Sequence, residues 1–64
     1  MYYLRVLDSD YYQTTKYYEK RDEAVEDFEI FKAHGFFIRG YLMEVETLLL
    51  IDDFDKIKLE SLPF

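Results

Sequence analysis

The chain has no cysteine, which removes a disulfide framework and any thiolate metal site together. That is compatible with a reducing compartment, and a cytoplasmic location is expected. Glycine occurs only at 35 and 40, too seldom for a phosphate-cradling loop or a dinucleotide fingerprint, both of which need several glycines at fixed spacing. His34 is the single imidazole, and Ser9 and Ser61 lie outside any G-x-S-x-G elbow, so no nucleophile sits beside a base in a recognisable pattern. The longest apolar runs, Phe36-Phe37-Ile38 and Leu48-Leu49-Leu50-Ile51, fall far short of the ~20 residues a membrane helix needs. No basic and then apolar leader opens the chain. These absences point away from enzyme chemistry, a bound cofactor and a membrane, and no catalytic residue is assigned.

What is abundant is acid and tyrosine. Fourteen carboxylates against eight cations give a net charge of −6. Such a field repels nucleic acid and anionic membranes and attracts a basic surface, including one built to hold nucleic acid. The stretch "YYQTTKYYEKR" sets Lys16, Lys20 and Arg21 among tyrosines, as single-strand platforms do. Those cations are followed at once by Asp22, Glu23, Glu26, Asp27 and Glu29, so direct nucleic-acid binding is not expected. The plain explanation of the charge is solubility, since a net charge of about 2–8 is usual for small domains. Sixty-four residues make one domain that buries only about 60% of its unfolded surface, so compensation must come from self-association or a dense aromatic core. Seven tyrosines and six phenylalanines, each able to bury about 150–250 Å², supply the material.

The order of elements follows from the period of the apolar residues. "YYLRVLD" and "YQTTKYYE" are rich in strand formers and are joined through "DSD", which predicts a hairpin over about 2–19. In "RDEAVEDFEIFKAHG" the period becomes helical: Ala24, Val25, Phe28 and Phe31 share one stripe, and a helix over about 22–34 is predicted, with Asp22 or a neighbour as cap and Gly35 as stop. A strand over about 36–47 follows, in which Tyr41, Met43 and Val45 share one face, Leu42, Glu44 and Glu46 the other, and Gly40 marks a bulge or a close approach. "LLLI" either extends that strand or begins another, "DDFD" reads as a turn, and "KIKLE" predicts a short strand over about 56–60. The result is a single α+β domain over 1–64 in the order β-β-α-β-β, one helix packed on a small, mostly antiparallel sheet.

Three features are candidate sites. From Glu19 to Glu29 six carboxylates face two cations, and Glu23, Glu26, Asp27 and Glu29 with Ile30 among them form an apolar knob ringed by negative charge. An acidic solvated helix back with one stray isoleucine is the ordinary alternative. Because neighbours along a strand point to opposite faces, each tyrosine doublet sends one ring to the helix side and one to the uncovered side. Tyr12 and Tyr18 are read as outward rings, on a surface that suits a protein partner or a second copy of the chain. Asp8 with Asp10, and Asp52 with Asp53 and Asp55, offer oxygen ligands for a hard cation, but neither set matches a calcium loop, and turn chemistry explains them better. No metal is assigned.

The run "YYLRVLDSDYYQTTKYYEK" followed by "DEAVEDFEIF" resembles, in size, acidity and hairpin-then-helix layout, the small acidic accessory and inhibitor proteins of bacteriophages, the uracil-DNA glycosylase inhibitors among them. The resemblance covers about half the chain and implies a non-enzymatic inhibitor that covers a basic, nucleic-acid-binding surface of a host or defence enzyme. The alternative is a homo-oligomeric accessory domain, a homodimer in its simplest form, whose charge serves solubility alone.

Overall fold

A computed structural model describes residues 1–56. Strands β1 (Tyr2–Asp8) and β2 (Gln13–Tyr18) form the hairpin, helix α1 (Arg21–Ala33) follows, and strands β3 (Phe37–Glu44) and β4 (Leu49–Asp55) complete the element order. The four strands make one sheet in the order β2-β1-β3-β4, antiparallel at every step. The α+β class and the β-β-α-β-β order are those expected, with β1 and β3 at the centre and α1 across one face.

The first turn closes through Asp8. Its carboxylate accepts the N–H groups of Asp10 at 2.9 Å and Tyr12 at 3.1 Å, and its carbonyl accepts that of Tyr11 at 2.9 Å. Asp8 thus does the local work that favours Asp in turns. The helix begins one residue earlier than expected: Lys20 holds the cap position without a side-chain bond, and Asp22 lies inside the first turn. There Asp22 and Glu23 face the positive end of the helix dipole, which stabilises them without a capping hydrogen bond. At the other end His34 donates its N–H to the carbonyls of Ile30 and Phe31, and its ring Nδ1 accepts from Phe36.

The predicted helix stripe is the face that packs. Ala24 and Phe28 are fully buried against Leu4 and Val6 of β1 and Leu42 of β3, with Tyr2, Tyr18, Val25, Phe31, Phe37, Ile51 and Phe54 closing around them. Burying a side chain of the Val, Leu or Phe kind is worth about 1.5–3 kcal/mol, so this short cluster carries much of the drive to fold.

The carboxylates of "DDFD" correct the sequence reading. They lie in β4, and the turn is at 45–48 instead, so the third strand, expected to run to about 47, ends at Glu44 and leaves Val45 and Glu46 in the turn. Strand geometry wins because Phe54 is turned inward onto the ring of Phe28, 5.6 Å away, while Lys32 holds Asp52 at 2.9 Å and Arg39 lies 3.6 Å from Asp55. Acidic side chains on this edge strand also oppose edge-to-edge pairing. The strand expected over about 56–60 lies, Lys56 apart, outside the described residues.

Gly40 has the close approach anticipated for it. It stands in the ladder between Val6 and Phe54, and a Cβ there would meet the Phe54 ring at 2.7 Å and a Val6 methyl at 2.8 Å. Gly40→Ala is therefore expected to destabilise by about 1–3 kcal/mol through overpacking, read as a lower urea midpoint, whereas Gly35→Ala meets no neighbour and should cost little on steric grounds. An unchanged midpoint for Gly40→Ala would contradict the Phe54 placement.

Candidate functional site

Register fixes which side chains share a surface. On the helix side, Tyr18, Tyr2, Glu44 and Leu49 form one row across the sheet, Lys16, Leu4, Leu42 and Asp52 the next, and Thr14, Val6, Gly40 and Phe54 the third. The other side, uncovered by any described element, grades from apolar to charged: Tyr17, Tyr3, Met43 and Leu50, then Thr15, Arg5, Tyr41 and Asp53, then Gln13, Leu7, Arg39 and Asp55.

Tyr18 is the main correction among the expected site residues. It belongs to the helix side, where its hydroxyl donates to the Asp27 carboxylate at 2.7 Å. Burial, followed by the bond to Asp27 and its negative charge, raises the Tyr18 phenol far above its ordinary value. The outward ring of that doublet is Tyr17, 65% exposed, which packs with Tyr3 at 5.9 Å; Tyr3 in turn meets the Tyr41 ring edge-on at 5.9 Å and donates to the Met43 sulfur at 3.4 Å. Doublet alternation was legible in the sequence, but which member pointed inward depended on the register of Tyr2 with Tyr18. Tyr12 is also displaced from its expected place: it precedes β2 in the hairpin connection, 73% exposed, beyond the rows of the sheet.

The helix back is closer to expectation. Asp22, Glu23, Glu26, Glu29 and Ile30 are all exposed, Ile30 by 60%. At 100° per residue they fall within an arc of about 120° opposite the buried stripe. Asp27 leaves this set, because Tyr18 and, at 3.9 Å, Lys16 draw its carboxylate to the β2 flank. On the other flank Lys32 bonds Asp52 and stands 4.0 Å from Glu29. The Asp52 hydrogen bond is the chief cause of a raised Lys32 pKa, against a smaller opposing effect of burial.

A third apolar region sits at the β3–β4 tip. Leu48, Leu49 and Leu50 are exposed, and Leu48 holds the left-handed conformation at φ 54. A cleft of about 400 Å³ opens beside it on the uncovered side, lined by Arg39, Tyr41, Met43, Leu50, Asp53 and Asp55 among others. The sequence reading missed Tyr17, Tyr41, Met43 and Leu50 as surface partners of one another. The signal available for them was the alternation of "YLME" against "LLLI".

Asp52 faces the helix while Asp53 and Asp55 face away, so strand parity separates the carboxylates that a hard cation would have to share. Among the described residues no group of three or more His, Asp or Glu side chains stands close enough to hold a metal ion. Among them, too, no helix is long and apolar enough to cross a membrane. No protein-family model, no curated protein and no solved structure matches this chain.

The Tyr18–Asp27 bond has a measurable consequence. A phenol whose folded pKa lies above its unfolded value of 10.0 contributes stability that is intact below that pH and lost as pH rises beyond it. Lys32, raised from 10.5, acts in the same direction. Burial and the neighbouring Tyr41 raise the Tyr3 phenol as well. A spectrophotometric titration should therefore show delayed tyrosine ionisation whose last step, that of Tyr18, comes only with alkaline unfolding, and Tyr18→Phe should abolish that last step while costing about 1 kcal/mol at neutral pH. Seven tyrosines titrating together in the folded chain would contradict the Tyr18 assignment.

Proposed function

We propose that this protein is a non-enzymatic acidic binding module of the inhibitor kind, whose helix back occupies a basic, nucleic-acid-binding surface of another protein, such as a phage product meets on a host or defence enzyme. One observation carries the reading: Asp22, Glu23, Glu26 and Glu29 project together around exposed Ile30. The earlier set of Glu23, Glu26, Asp27, Glu29 and Ile30 is sharpened by the loss of Asp27 to Tyr18. Carboxylates along a rigid helix offer negative charge where a basic groove would receive phosphates, and desolvated Ile30 adds apolar contact at the centre.

The arrangement works against the helix that carries it. Asp22 with Glu26, Glu23 with Glu26, and Glu26 with Glu29 are like-charge neighbours at i,i+4 or i,i+3, each destabilising by about 0.2–0.5 kcal/mol. Such a local cost is typical of surfaces kept for contact rather than for stability.

A second reading treats the charge as a solubility device and the chain as a homo-oligomeric accessory domain. The uncovered cluster of Tyr3, Tyr17, Tyr41 and Met43 favours it.

The readings separate in one experiment. Immobilised protein should retain a basic nucleic-acid enzyme from a bacterial lysate, release it with salt or competing DNA, and lose it when Glu26 and Glu29 are both changed to Lys. Glu26→Gln alone should weaken capture while leaving thermal stability equal or slightly higher. Capture indifferent to salt and to the double reversal would overturn the helix reading.

A further inference from the structure

We propose that the uncovered sheet face is a dimer interface that takes a second copy of this chain, packed face to face so that the two acidic helices lie on opposite outer sides.

Three observations select a second copy as the occupant. The first is charge. The twelve outward positions of the three rows include two arginines, Arg5 and Arg39, and two aspartates, Asp53 and Asp55, so the face is formally neutral on a chain of net charge −6. The excess acid is carried elsewhere, most densely on the helix back, where two copies would repel. Two copies can therefore approach through this face without the like-charge repulsion that the helix backs would bring.

The second is the order of the rows. A two-fold axis along the strands, between β1 and β3, keeps each row opposite itself and exchanges β1 with β3 and β2 with β4. Tyr17 then meets Leu50 of the second copy, Tyr3 meets its Met43, and Arg5 lies over its Tyr41, a cation on an aromatic face. The apolar end covers the apolar end. Aligned sheets packing about 10 Å apart are the usual form of such a sandwich.

The third is size. The chain measures 30 × 22 × 16 Å along its principal axes, and a pair of faces spanning the two longer dimensions corresponds to about 1,300 Å² buried in total, at the lower end of specific interfaces. A concentration-dependent dimer is expected rather than a permanent one.

The inference stands apart from the acidic-helix reading: a dimer with no basic partner would leave it intact, and a captured partner with no dimer would not. Sedimentation equilibrium of the full chain tests it. The expected result is a species of twice 7.9 kDa at high micromolar concentration that dissociates on dilution, becomes monomeric in Tyr17→Glu and in Leu50→Glu, and persists in Ile30→Glu. Tyr17 and Leu50 are half or more exposed, so circular dichroism should show these variants folded. Because the chain has no cysteine, mixing Tyr17→Cys with Leu50→Cys and treating the pair with a short bismaleimide, which spans the sheet-to-sheet gap that a disulfide cannot, should yield the mixed cross-link in preference to either homodimer. A monomer at every concentration, or a dimer lost in Ile30→Glu and kept in the two sheet variants, would overturn the proposal.

Discussion

Phe28 fills the space between helix α1 and the sheet, and its burial fixes what every other surface is free to do. Its ring meets Phe54 from the far edge strand while Leu4, Val6 and Leu42 close around it. The approach of Phe54 is possible because Gly40 leaves no Cβ in its path. Once those side chains are committed to the helix side, strand parity commits Tyr3, Tyr17, Tyr41 and Met43 to the opposite side. A chain this short has no second helix among its described residues to cover them. The aromatic outer face is thus a consequence of the core's geometry.

Charge is distributed in step with that division. The helix back collects carboxylates, of which Glu29 stands 4.0 Å from Lys32, while the flanks use Lys16 and Lys32 to neutralise Asp27 and Asp52. The outer sheet face balances arginine against aspartate. Net charge alone would describe this molecule as uniformly acidic. The structure resolves it into one strongly negative surface and one neutral, aromatic surface, and these suit different partners. On the readings proposed above, a basic groove would meet the first and another copy of the chain the second, and a symmetric pair would display two acidic helices.

Much of the fold was legible because single patterns sufficed. The 3.6-residue stripe of Ala24, Val25, Phe28 and Phe31 marked the helix face, and the turn at Asp8 followed from the chemistry of Asp. Where two patterns competed, sequence was a poor guide. Three aspartates in "DDFD" looked like a turn, yet Phe54 gains more by reaching Phe28 than the backbone gains by bending, and Lys32 satisfies Asp52 from another element. The same holds for Tyr17 and Tyr18. Either could face inward until pairing with β1 sets the register, and a one-residue slip would exchange them. The acidic helix back was visible in outline, but the withdrawal of Asp27 depends on Tyr18, which contacts it across elements.

The central claim is that adjacent tyrosines do opposite jobs, one building the core and the next forming a contact surface. Hydroxyl-radical footprinting of the tyrosines over a range of protein concentration tests this most directly. On dilution Tyr17 should label fast and Tyr18 slowly. As concentration rises, Tyr3, Tyr17 and Tyr41 should become protected together while Tyr11 and Tyr12 at the hairpin tip stay reactive. Equal labelling of Tyr17 and Tyr18 at every concentration would contradict the account.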